Sequence, residues 1–217
     1  AQIAFNSTQG PRVPPGTYTV RMTKGKEVYE TKIDVGLDRR VTFTAADRRA
    51  QYDAAMRVRA LFGEMSTLVD QINAVRMQAD AAATKLPEKD AMRKQLAALS
   101  AKADDIRKKI VATKEGGAIT GEERLREHMD TLYGAIMSND GKPTDYQLER
   151  IDALNKELGD VKQQFAALQS GDLAKTNASL RAKNLPEIAV PAAKAGESSA
   201  SSEDKEKNEA HAPWDRD

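Results

Sequence analysis

Apolar and polar residues alternate singly over residues 17–22, and residues 28–35 return with a period of two on one face. Tyr18, Val20 and Met22 share one face of the first run, and Thr17, Thr19 and Arg21 share the other. In the second run Tyr29, Thr31, Ile33 and Val35 are in phase. A period of two predicts strands. Val13-Pro14-Pro15-Gly16 predicts a turn before them and Lys24-Gly25-Lys26 a hairpin turn between them. Val41 and Phe43 predict one more short strand or an extended linker. So few strands are marginal alone. The face made by Tyr18, Val20, Ile33 and Val35 therefore calls for cover, from a helix or from strands supplied elsewhere, as in the end or half of a small β-sandwich.

From Thr44 the period changes to that of a helix. Thr44-Ala45-Ala46-Asp47 predicts a capping box. After it Tyr52, Ala55, Phe62, Met65, Val69, Ile72, Arg76 and Ala79 recur at three- and four-residue steps, widened by Leu61, Leu68 and Val75. Leu86-Pro87 closes this helix, which spans about 60 Å at 1.5 Å per residue. A second helix is predicted to begin near Pro87, with Glu88 and Asp90 in its first turn and a seam of Met92, Leu96, Leu99, Ala103, Ile106 and Ile110. Gly116-Gly117 stops it, and Thr120 to Glu123 reads as another capping box. Leu125, Met129, Leu132 and Ile136 form the stripe of a third, shorter helix. Thr144-Asp145-Tyr146-Gln147 caps a fourth, with Ile151, Leu154, Leu158, Val161, Phe165 and Leu168 in line. Gly171 is expected to end it and Asp172 to cap a short fifth helix.

The fold class that follows is α+β, mostly α: a short antiparallel β region (a partial Ig-like sandwich), then an antiparallel helical bundle. The long first helix is expected to project past the bundle as a hairpin with the second. The divisions fall at residues 1–43, 44–190 and 191–217. The last stretch turns to Ala, Gly, Ser, Glu and Lys, with no Val, Ile, Leu or Phe over residues 192–212, which predicts a disordered tail. Trp214 is its one large apolar residue and a candidate docking point.

Composition narrows the function classes. The 34 basic and 33 acidic residues nearly balance, which gives no electrostatic footprint for nucleic acid and no polybasic membrane patch. With no cysteine there is no thiol chemistry. No apolar run is long enough to span a bilayer. His128 lies in a charged turn without the spacing of a metal or catalytic site, and His211 lies in the tail. The paired acids Glu122-Glu123 and Asp104-Asp105 point about 100° apart on a helix, and the Glu-x-x-His spacing of a di-metal bundle is missing. No catalytic, cofactor-binding or metal residue is expected. The candidate interdomain or partner contacts are Tyr18, Asp38, Arg39, Arg40, Arg48, Arg49 and Trp214. Arg39 and Arg40 stand at the joint between strands and helices, where they can bond across it. Arg48 and Arg49 carry the wrong sign for a helix start, which points to a salt bridge with the β part or a partner.

The stretch Gly10-Pro11-Arg12-Val13-Pro14-Pro15-Gly16-Thr17-Tyr18-Thr19-Val20-Arg21-Met22 resembles the β-sandwich that follows the propeller in exported bacterial proteins of the sortilin-like, BNR-repeat β-propeller group, often labelled glycosyl hydrolases. Asp38-Arg39-Arg40, Asp140-Gly141-Lys142-Pro143-Thr144 and Leu185-Pro186 resemble later landmarks of the same group, with Arg39 where proline is usual. The resemblance implies an exported multidomain parent, and an upstream β-propeller or β-sandwich, or another subunit, as partner. It carries no active-site residue onto this chain. The expected role is a non-catalytic structural and interaction module that braces the propeller or docks it in a cell-surface complex. The alternatives are an accessory substrate-handling region of an exported glycosidase- or peptidase-like enzyme and an autonomous coiled-coil adaptor.

Overall fold

The structure is a computed structural model, and it describes residues 10–40, 42–114, 122–138 and 141–192. The chain is mostly helical with a two-stranded antiparallel sheet. Strands β1 (Gly16–Lys24) and β2 (Glu27–Val35) pair in the register Tyr18↔Ile33, Val20↔Thr31, Met22↔Tyr29. The two-residue loop between them needs a left-handed backbone, and Gly25 supplies it at φ 62. Among the described residues the β structure is this hairpin alone, not a sandwich. Residues 42–44 join no strand among the described residues and form the extended linker, and Val41 lies outside the described residues.

Helix α1 (Ala45–Thr84) starts at Thr44, whose hydroxyl accepts from the Asp47 amide while the Asp47 carboxylate accepts from the Thr44 amide. Helix α2 (Ala91–Arg107) starts later than the proline suggested. Residues 87–89 form a turn closed by the Asp90 amide on the Pro87 carbonyl at 3.0 Å. Asp90 is the N-cap, accepting from the Met92 amide at 2.7 Å. Helix α3 (Leu125–Ser138) follows, then α4 (Asp145–Leu168), capped by the predicted box of Thr144 and Gln147.

Gly171 does not end α4. The chain continues through a π turn (Gln169–Leu173) straight into α5 (Ala174–Ala182). The apolar stripe explains the turn. Leu168, Leu173, Thr176 and Leu180 are all buried, and the step from Leu168 to Leu173 is one residue too long for an α-helical face. A single π turn absorbs that excess and keeps the stripe on the core. Asp172 caps nothing by its side chain. Its carbonyl accepts from the Thr176 hydroxyl and its carboxylate pairs with Lys102.

The described helices form three columns. Helix α3 does not double back on α2; it continues in the same direction. The Leu125 and Arg126 amides donate to the carbonyls of Lys109 and Ile110 at 3.5 and 3.1 Å, so the orphan donors of one helix start meet the orphan acceptors of the other helix end. Contacts fix the directions. Along the third column, Lys109 meets Gln164, Lys102 meets Asp172, Gln95 meets Thr176 and Asp90 meets Lys183, which is antiparallel. Arg57 pairs with Asp152 and Glu64 with Lys162, so α4 runs parallel to α1. Column one is α1, column two is α2 with α3, and column three is residues 145–182. The expected projection of α1 is therefore absent: α2 flanks its C-terminal half and α3 its N-terminal half. The core runs the whole length, with Val58, Ile72, Leu96, Met129, Leu154 and Leu180 among the sealed side chains.

Candidate interaction surfaces

The hairpin is two-faced. Thr17 donates to Asp34 at 2.6 Å and Arg21 to Glu30 at 2.5 Å, so the polar face satisfies itself across the strands. The opposite face carries Val20, Met22, Tyr29 and Ile33, which are 44%, 57%, 50% and 47% exposed. The described helices leave these four residues open. Antiparallel sheets with one apolar and one polar face normally bury the former.

The joint between hairpin and bundle is small and gathers several sequence-named residues. The Tyr18 hydroxyl donates to the Pro14 carbonyl at 2.6 Å. Burial pushes the Tyr18 phenol above its ordinary range, nearby Tyr52 adds to this and Arg49 opposes it. Tyr18 thus lies close to the first turns of α1. Arg49 pairs with Asp53 on its own helix at 3.1 Å and stacks over the Tyr52 ring.

Arg48 is not a surface residue. It is 8% exposed, lies over the Phe43 ring and donates to Gln51. Gln51 is 3% exposed and donates in turn to the Ile136 carbonyl at 2.7 Å, in the last turn of α3. Its unfavourable sign at the start of α1 is thus set against a place in a polar chain reaching α3. Asp38 and Arg40 close on each other at 2.6 Å instead of bonding across the joint, and the Arg40 hydrogen bonds hold the Asp38 carboxyl below its ordinary range. Arg39 is exposed. Trp214, His211 and residues 193–217 of the tail expected over 191–217 lie outside the described residues, while Pro191 is held by a hydrogen bond from Gln71.

The neck of the α2–α3 connection is clasped by Glu122. Its carboxylate accepts from the Thr113 and Lys114 amides at 2.5 and 3.2 Å and from Arg124 at 2.7 Å. The Thr113 amide is the largest cause that brings the carboxyl down to about 2; burial opposes it, and Arg124 and the Lys114 amide add to the lowering. Sequence reasoning placed Glu122 in a capping box, but α3 begins at Leu125, and Thr120 and Gly121 lie outside the described residues.

Two polar clusters remain. Asp104 joins α2 to α1 by accepting from Arg76, Arg107 and Lys108 at 2.9, 2.9 and 2.8 Å. Burial pushes its carboxyl up, and the bonds from Lys108 and Arg107 with the charge of Arg76 outweigh that, so it titrates below the usual range. His128 sits 3.4 Å from Glu123 in an open cleft of about 280 Å³, alongside Lys109, Arg124, Glu157 and Asp160. Its Nδ1 is sealed and without a hydrogen-bond partner among the described residues. The cleft mixes three carboxylates with two cations. Among the described residues no group of three or more His, Asp or Glu is placed to hold a metal ion. No described helix is long and apolar enough to cross a membrane. No family model, curated protein or solved structure matches the chain.

Proposed function

We propose that the chain is a non-catalytic structural and interaction module, a stiff helical strut carrying a β-hairpin that docks onto β structure from outside these residues. On this reading the hairpin joins an upstream β-propeller or β-sandwich of an exported bacterial parent, or another subunit of a cell-surface complex, and the bundle holds it at a fixed distance.

The supporting observation is the contiguous open apolar face of Val20, Met22, Tyr29 and Ile33 beside a bundle whose seam residues are sealed and whose exposed large apolar side chains, Met77 and Tyr146, stand on different helices. A two-stranded ribbon has no core of its own. A row of β-branched, aromatic and thioether side chains left in water is the mark of a surface waiting for cover.

The test is amide hydrogen exchange over residues 16–35, in the 217-residue chain alone and in the native polypeptide isolated from its source. Protection that rises at least about tenfold in the native polypeptide supports docking. Equal, low protection in both refutes it. Turnover of a sugar or peptide substrate by the chain alone refutes the non-catalytic part.

A further inference from the structure

Beyond α5 the chain turns back along the bundle. The helix closes with the Leu185 amide on the Leu180 carbonyl at 2.9 Å, and Asn184 takes a left-handed backbone at φ 55. The segment that follows is gripped by side-chain amides from two helices. On α5, Asn177 donates to the Ile188 carbonyl and accepts from the Ile188 amide, both at 2.9 Å. On α1, Gln78 donates to the Ala189 carbonyl at 2.8 Å and accepts from the Ala189 amide at 2.9 Å. Gln71, two turns earlier on α1, donates to the Pro191 carbonyl at 3.0 Å. Consecutive residues thus present their backbone groups to opposite sides, as an extended chain does. Each primary amide offers one donor and one acceptor in a plane, the same pair a neighbouring strand would offer. Ile188 is buried at 4% exposure, and Leu185 and Val190 pack against the core beside it.

Burial does not demand all of these bonds. Ala189 is exposed, and water would serve its amide and carbonyl as well as Gln78 does. The grip therefore reads as recognition of a main chain. Within residues 187–191 its demand on sequence falls mainly on the one sealed side chain, Ile188, with Val190 packed partly against the core beside it. Main-chain bonds for affinity with a pocket for one side chain is how extended peptides are bound at sheet edges.

We propose that the channel between α1 and α5 is a recognition site for an extended peptide with a β-branched aliphatic residue at its centre, and that residues 187–191 are its ligand in cis. The tether from α5 is only a few residues long, so the local concentration of this strap is high and it excludes a free competitor. A second segment of the same pattern enters when the strap leaves. This inference does not rest on the hairpin reading.

The experiment uses a fluorescein-labelled peptide with the sequence of residues 185–192, titrated by anisotropy into three full-length proteins: the wild type, Ile188→Asp and Ala189→Pro. Ile188→Asp makes the strap unfit for its pocket. Ala189→Pro deletes the amide that Gln78 accepts from, at a solvent-facing residue, and keeps the test alive if the first variant fails to fold. The expected result is saturable binding to the variants, at least about tenfold tighter than to the wild type. Adding Gln78→Ala and Asn177→Ala to either variant should weaken it again by about tenfold or more, and a labelled peptide carrying Ile188→Asp should not bind. Equal binding to wild type and variants overturns the proposal. So does no binding to a variant that keeps wild-type helicity. Loss of the fold in both variants also overturns it, because the strap would then be core and not ligand.

Discussion

The hairpin and the bundle spend their apolar residues in opposite ways. In the bundle every stripe residue of α4, from Ile151 to Leu168, is buried, and its partners come from the same chain. In the hairpin the alternation is as regular, yet the face it defines stays in water. Pattern alone therefore does not tell a finished element from an unfinished one. What separates them is whether the chain contains a second surface of matching period. Helical stripes of comparable length are present in three columns. A sheet face asks for another sheet face or a helix laid across it, and the described residues offer neither. The bundle is accordingly expected to carry the stability and the hairpin the unmet contact.

The largest test of that contrast is a pair of truncations. Leu154 is fully buried, and Leu154→Ala should destabilise the bundle by ~2–5 kcal/mol in urea unfolding followed by far-ultraviolet circular dichroism. Ile33 has the same count of carbons but is 47% exposed, and Ile33→Ala should change the same transition by no more than ~0.5 kcal/mol. If the two cost the same, the hairpin is part of the cooperative unit and the comparison fails.

A smaller effect sharpens the boundary between the regions. Gln51→Ala removes the group that accepts from buried Arg48 and donates to the Ile136 carbonyl. Losing these bonds away from water should cost ~1–3 kcal/mol. The loss should appear in the helical transition and in exchange of the α3 amides, while hairpin amides exchange as before. Faster hairpin exchange would show that the polar chain from Arg48 through Gln51 also fixes the hairpin.

Much of this was legible in the sequence because short-range rules govern it. The stripes of α2, α3 and α4, most of that of α1 (Ala54 and Val58 are sealed though not in the expected stripe, and Tyr52, Phe62 and Arg76 are only half-buried), the boxes at Thr44 and Thr144 and the hairpin itself depend on spacing within a few residues. What was missed depends on partners far along the chain. Gly171 looks like a stop, but the buried set Leu168, Leu173, Thr176 and Leu180 shows a continuing face with one extra residue, a signal present in the spacing. Pro87 looks like a helix start, yet the cap is Asp90, which also holds Lys183 at the end of α5. The end-to-end join of α2 and α3 rests on backbone bonds across the connection, which no side-chain pattern announces. The grip of Gln71, Gln78 and Asn177 on residues 188–191 was equally hidden. Only the apolar spacing of Leu185 before Pro186, and of Ile188 and Val190 between Pro186 and Pro191, hinted that this stretch is held.

Glu122 supplies the pH arm of the comparison, because it closes a bundle connection through a carboxylate. Its folded-state value of about 2 lies below the ordinary 4.5, so the clasp is fully stabilising above about pH 4.5. The contribution falls as pH drops toward about 2 and is lost below it, where the carboxyl is protonated folded or unfolded. Glu122→Gln should lower the melting temperature at neutral pH, and the gap from wild type should close as pH falls from 4.5 to 2. The Thr113 and Lys114 amides should exchange faster in the variant at pH 7. A gap that stays constant across that range would mean that the charge of Glu122 contributes nothing.

The smallest effect concerns the other side of the hairpin. Arg21 and Glu30 pair at 2.5 Å across the strands, with side chains 68% and 46% exposed. A pair so open is worth little, because water screens it and both side chains lose freedom in holding it. A double-mutant cycle of Arg21→Ala and Glu30→Ala, read from hairpin amide exchange, should give a coupling of ~0.2–1 kcal/mol. It should shrink as salt is raised to about 1 M, where the screening length is about 3 Å. The sign of departure matters more than the size. If a partner covered the polar face as well, the pair would be desolvated, and breaking one member would cost several kcal/mol with little dependence on salt. A weak, salt-sensitive coupling that persists in the native polypeptide would identify this face as the one turned to water. It would leave the surface of Val20, Met22, Tyr29 and Ile33 as the side through which the hairpin makes contact.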